Sequence, residues 1–186
     1  MELKFKLWGD YAFDYISVFE SYKKEIAKTT TIESIYDLID WMELNFNFVS
    51  DTINATMDGT YTREECNNFL GMTTLQYIAS LSMLMVDRLS PVSIDMPTEV
   101  SSLLVRKQKD YGPNNILQFG LIGVYVRMFD KFARLKNILG KFASPEEALA
   151  GNAVSGETLI DTLFDMIGYC TIAQMLLNES FMLPLE

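Results

Sequence analysis

The chain has 186 residues, 49% hydrophobic and 22% charged, a composition that suits a packed core and excludes a disordered polymer. Its formal net charge of -10 argues against duplex nucleic acid as the main partner, because that partner calls for summed positive potential. Histidine is absent and only two cysteines occur, so histidine triads, histidine-ligated zinc and disulfide frameworks drop out.

The first residues alternate charge with Leu3, Phe5 and Leu7, which predicts a short strand or an extended arm and carries no secretory leader. Apolar residues from Tyr11 to Lys28 recur at helical spacing. Thr31 reads as an N-cap for a second helix over Ile32–Val49, on the spacing of Ile35, Leu38, Ile39, Met42, Phe46 and Val49. Asp58-Gly59 marks a turn. Thr62 with Glu65 three residues on predicts a capping box opening a long helix through Leu89, broken at Pro91 and Pro97. Its apolar stretch is interrupted by Thr73, Thr74, Gln76, Ser80 and Ser82, so it reads as a buried helix and not a membrane span.

Further helices are expected over Thr98–Asp110, Ile116–Leu139 (ended by Gly140) and Glu157–Leu177, with Ser144-Pro145 opening a turn or a loop toward Gly156. Sustained 3.6-residue periodicity with few alternating runs gives an all-α fold, a helical bundle. The organisation read from the sequence is a helical N-terminal region over 1–100 and a helical module over 101–186. Met83, Met85, Phe129 and Phe132 are candidate core residues. Cys66 and Cys170 read as free thiols of a reducing cytosol, so a cytoplasmic location is expected.

Charge is unevenly distributed. Residues 1–100 carry 7 basic and 16 acidic side chains, whereas residues 101–186 carry 8 and 9, with every basic residue of the second part between Arg106 and Lys141. Arg127, Asp130, Lys131 and Arg134 share one helix face, in an otherwise apolar stretch. Glu157, Asp161 and Asp165 form an acidic ridge at i, i+4, i+8 on the next helix. Burying that ridge unpaired would be costly, so a cation must offset it. Two offsets are open: ion pairs with Arg127, Lys131 and Arg134, or a divalent cation such as magnesium on oxygen ligands. A third piece, Lys107-Gln-Lys109-Asp110-Tyr111-Gly-Pro-Asn-Asn115, brings lysines to a turn before a helix start, where anions are favoured. Tyr111 and Tyr169 could stack on a base or hydrogen-bond their hydroxyls.

In this order the three pieces resemble the phage nucleotide-modification-associated domain 1 family: Lys107-Gln-Lys-Asp-Tyr-Gly, Asn115, Gly120, Arg127-x-x-Asp130-Lys131-x-x-Arg134-Leu-x-Asn137, then Glu157-x-x-x-Asp161-Thr-x-x-Asp165-x-x-x-Tyr169 and Phe181-x-Leu-Pro-Leu185. The likeness covers about residues 103–186. That family is distantly similar to the all-α MazG-like and dimeric dUTPase pyrophosphohydrolases. The resemblance implies a phage-type nucleotide-binding protein of the host bacterial cytoplasm. In an enzyme of that kind Glu157, Asp161 and Asp165 would hold magnesium and activate water, while Lys107, Lys109, Asp110, Tyr111, Asn115, Arg127, Asp130, Lys131 and Arg134 would bind the nucleotide. The paired Glu-x-x-Glu of those hydrolases has no counterpart beside Arg127-x-x-Asp130. Asp37-x-x-Asp40, the other carboxylate pair, reads better as a solvated face. The missing pair leaves an alternative: a non-catalytic protein that captures a nucleotide or docks a host protein. The large apolar surface of the last two helices leads to the expectation of a homo-oligomer.

Overall fold

The computed structural model describes residues 6–29, 31–145, 147–148 and 158–185. All regular structure among them is helical. The alternating arm at Leu3 and Phe5 lies outside the described residues.

α1 (Trp8–Thr29) buries Trp8, Ala12, Ile16, Phe19, Lys23 and Ile26, a single stripe at three- and four-residue intervals. Lys23 is tolerated in that stripe because its ammonium donates to Asp87 at 2.8 Å. α2 (Ile35–Met57) begins later than Thr31 suggests, because Ser34 and Asp37 close a capping box, and it runs two turns past Val49 to the Asp58-Gly59 turn. The box accounts for Asp37: its carboxylate accepts from the Ser34 and Glu33 backbone N–H groups, which hold it below the usual aspartate range. The long helix expected from Thr62 is two. α3 (Arg63–Phe69) opens on the expected Thr62–Glu65 box and stops at Leu70-Gly71, and α4 (Met72–Leu89) follows.

α4 is buried on most sides, and its serines do not break the core. Ser80 donates to the Phe19 carbonyl and Ser82 to that of Ile78, each at 2.8 Å, so their desolvated hydroxyls are satisfied. α5 (Met96–Tyr111) is capped by Asp95, and Pro97 sits in its first turn, where the missing N–H costs nothing; that proline opens a helix and does not end one. The helix expected over Ile116–Leu139 is divided as well. A short α6 (Asn114–Leu117) precedes α7 (Gly120–Leu139), and Gly120 carries the chain across the break at φ 58°. Gly140 ends α7, as its sequence position predicts. Ser144 opens one helical turn, accepting from Glu147 and Ala148. α8 (Leu159–Leu177) completes the bundle.

α8 is the central helix. Twelve of its 19 residues are buried, including every residue from Cys170 to Met175. It packs on α4 and α7 and also touches α1 and α5. By length and composition alone it could cross a membrane, but 67% of that stretch is buried within the bundle. One hydrophobic core takes residues from both sides of position 100, so the two regions of the sequence do not form separate cores. Part of the apolar surface of α8 is covered by α1 and α4 of the same chain. Met83, Met85 and Phe132 are core residues; Phe129 is 45% exposed and instead sets its ring edge-on against Phe46.

Candidate functional site

Three helices meet at Asp165. On α8 it lies on the flank facing α5 and α7, and its carboxylate accepts from Lys131 of α7 at 2.8 Å and also from Lys107 of α5. Burial pushes the Asp165 carboxyl upward, but the two lysine hydrogen bonds and charges outweigh it and hold the group below the usual aspartate range. One turn further along α8, Gly168 lets α5 approach closely: a Cβ there would lie 2.8 Å from Leu104 Cδ2. Lys107 opposite Asp165 and Leu104 opposite Gly168 make α5 and α8 antiparallel. Lys131 opposite Asp165, with Arg127 sharing a cavity with Tyr169 and Ile172, makes α7 and α8 antiparallel too. The connection from α5 to α7 must therefore return along the bundle, and it brings Asn115 and Ile116 over the groove.

The result is a cavity of about 450 Å³, in the range of small-molecule sites. Among the described residues Lys107, Arg127 and Lys131 supply positive charge to its wall, against the single carboxylate of Asp165. Tyr111, Phe164 and Tyr169 supply aromatic surface, Gln108 and Asn115 supply amides, and Leu103, Leu104, Ile116 and Ile172 supply apolar surface. Arg127 is exposed, and among the described residues its guanidinium has no carboxylate partner. Neither the Tyr111 nor the Tyr169 hydroxyl hydrogen-bonds a described group, which leaves both rings available to a ligand.

Six of the expected residues thus converge: Lys107, Tyr111, Asn115, Arg127, Lys131 and Asp165. Lys109, Asp110, Asp130 and Arg134 do not line the cavity, and Lys109 and Arg134 are engaged with other groups. The acidic ridge dissolves into different jobs. Glu157 lies outside the described residues. Asp161 is the N3 residue of a capping box: its carboxylate accepts from the Thr158 backbone at 2.7 Å and from the Thr158 hydroxyl at 2.8 Å. Asp165 is committed to two ammonium groups. Among the described residues no three side chains of metal-binding type come together. Among the described residues Arg127 pairs with neither Asp161 nor Asp165.

Nucleophiles are equally scarce. Cys170 is fully buried, and burial pushes its thiol far up, away from the reactive thiolate. Tyr125 is buried with its hydroxyl donating to the Leu70 carbonyl at 2.6 Å. What the lining can do is hold an anion at its cationic rim and a flat group against its tyrosines. Gln108 is the lining residue that helix periodicity did not single out; its signal was a polar side chain four residues after Leu104 on the inward stripe of α5.

Compared with protein-family profiles, curated proteins and solved structures, the chain matches none.

Proposed function

We propose that this chain is a nucleotide-binding protein that captures a nucleoside phosphate in the α5–α7–α8 cavity without turning it over. The observation that carries the reading is Arg127, an exposed guanidinium without a carboxylate partner among the described residues, at the edge of a cavity walled by two more cations and two tyrosines. A planar five-donor cation suits a phosphate, and tyrosine rings suit a base. In a chain of net charge -10, a lining with three cations and one carboxylate is a local reversal of sign that draws in anions. The setting that fits the resemblance is the cytoplasm of a phage-infected bacterium, where a nucleotide, a host protein or a second copy of the chain would be the partner.

The rival reading is a magnesium-dependent pyrophosphohydrolase using Glu157, Asp161 and Asp165. It rests on the resemblance and is the weaker one, because Asp161 and Asp165 already have other partners.

Thermal unfolding with nucleoside mono-, di- and triphosphates, each in magnesium and in chelator, tests both. Binding at about 100 times Kd stabilises the native state by about 2.7 kcal/mol. The expected result is stabilisation that survives chelation, disappears in Arg127→Gln and is accompanied by no released phosphate or pyrophosphate. Magnesium-dependent product release would establish the hydrolase instead; no response to any nucleotide would remove the nucleotide reading.

A further inference from the structure

Gln108 is 9% exposed and lies on the inward stripe of α5 with Val100, Ser101 and Leu104. Its side chain hydrogen-bonds no described residue, yet it lines the cavity. Buried hydroxyls are satisfied internally, with Ser80, Ser82, Thr52, Thr162 and Thr171 all donating to main-chain carbonyls; Gln174 Oε1 and Trp8 Nε1 are buried without a partner, but neither residue lines the cavity. A primary amide carries two donors and an acceptor, and leaving them unpaired in a buried place is unfavourable. A leucine or methionine would fill the same position with no such penalty. The amide therefore has the character of a group kept for something that enters the cavity.

We infer that Gln108 is a specificity-determining residue that hydrogen-bonds the edge of a nucleobase, so that the ligand enters base first, with its phosphate left at Arg127. The inference rests on the nucleotide reading above and deepens it. Its geometry follows from burial. Arg127 is exposed, where a phosphate keeps part of its hydration, whereas Gln108 is only 9% exposed and meets the cavity, where a base edge loses water and needs a partner. Tyr111 lies three residues after Gln108, hence on the same side of α5, and is 71% exposed, so its ring can close over a base held by the amide. A glutamine amide offers a donor next to an acceptor, and a base edge answers with the complementary pair. A bare sugar phosphate has no such edge.

The test compares ribose 5-phosphate with the common nucleoside monophosphates by calorimetry, in wild type, Gln108→Met and Arg127→Gln. Methionine keeps the length and helix preference of glutamine without its polar atoms. Wild type is expected to bind at least one nucleoside monophosphate about tenfold more tightly than ribose 5-phosphate, the scale of one or two good hydrogen bonds. Gln108→Met should reduce that ratio to within about twofold and leave ribose 5-phosphate binding unchanged. Arg127→Gln should weaken both ligands alike.

A second readout needs no ligand. If the amide is unpaired in the free protein, Gln108→Met melts at a higher temperature than wild type; a lower melting temperature would show an internal partner and overturn the inference. Ribose 5-phosphate binding with no preference for any base, or a preference that persists in Gln108→Met, overturns the role of Gln108 while the phosphate site stands. Failure of every phosphate ligand in wild type removes the site itself.

Discussion

Asp165 and Lys131 meet at 2.8 Å between α8 and α7, and the same carboxylate also takes the ammonium of Lys107 from α5. One acidic side chain thereby ties together the three helices that wall the cavity. Asp165 is 14% exposed and Lys131 is 21% exposed, so the pair lies between the open-surface and the interior regimes. Asp165→Asn is expected to destabilise the protein by about 2 kcal/mol, above the ~0.2–1 typical of surface pairs and below the ~3–5 of fully buried ones. The same change removes the one carboxylate that the described residues place on the cavity wall, so phosphate affinity should rise as stability falls. Denaturant unfolding and calorimetry on one preparation check both directions. A joint loss of stability and of magnesium-dependent binding would point to a metal ligand.

Acid should erase the difference between those two proteins. The Asp165 carboxyl is held below its ordinary value when folded, so it binds a proton less readily than in the unfolded chain. Its stabilisation is complete above the usual aspartate range and is lost as pH falls through the lowered value. Wild type and Asp165→Asn are expected to differ at neutral pH and to converge in acid below the usual aspartate range, as read from denaturation midpoints along a pH series.

Asp161 should behave as a cap and nothing more. Thr158→Ala removes the hydroxyl that accepts from the Asp161 N–H at 3.1 Å and should cost about 1 kcal/mol. Asp161→Asn is expected to lower the melting temperature slightly, equally with magnesium and with chelator, and to leave ligand affinity within twofold of wild type, a scale of about 0.4 kcal/mol. Loss of binding in Asp161→Asn with unchanged stability would revive its role as a metal ligand.

Gly123 on α7 gives a sterically different test. A Cβ there would lie 2.6 Å from Phe119 Cβ, an atom fixed to the backbone at the entry to the helix. Alanine gains about 1 kcal/mol of helix propensity but forces the chain at Phe119 to shift, so Gly123→Ala should be destabilising by about 1–2 kcal/mol overall. The connection carrying Asn115 and Ile116 ends there, so ligand affinity should fall as well, measurable in the same titrations.

Much of the fold was legible because α1, α2 and α7 bury one stripe each, and a stripe is what periodicity reports. Breaks were less legible. Leu70-Gly71 and Phe119-Gly120 interrupt runs whose apolar spacing continues across them, and tertiary packing decides where the chain turns. One role within the acidic ridge is written in the local sequence. Thr158-Leu-Ile-Asp161 has the same capping-box spacing as Thr62-Arg-Glu-Glu65, so the cap that engages Asp161 is legible from spacing alone. The convergence of Lys107 with Asp165 depends on α5 and α8 lying side by side, which no local pattern encodes.

The position of α8 bears on how the protein is made. It is the last of the described helices to leave the ribosome, yet it supplies the surface on which α4 and α7 pack. At roughly 5–20 residues per second, the apolar face of α4 spends several seconds in the nascent chain before its main partner exists. During that interval α1 and α2 are its available shelter. Chains interrupted between Leu89 and Leu177 should therefore accumulate as chaperone-bound or insoluble species and not as smaller folded units, making synthesis of α8 the step that commits this bundle to its native state.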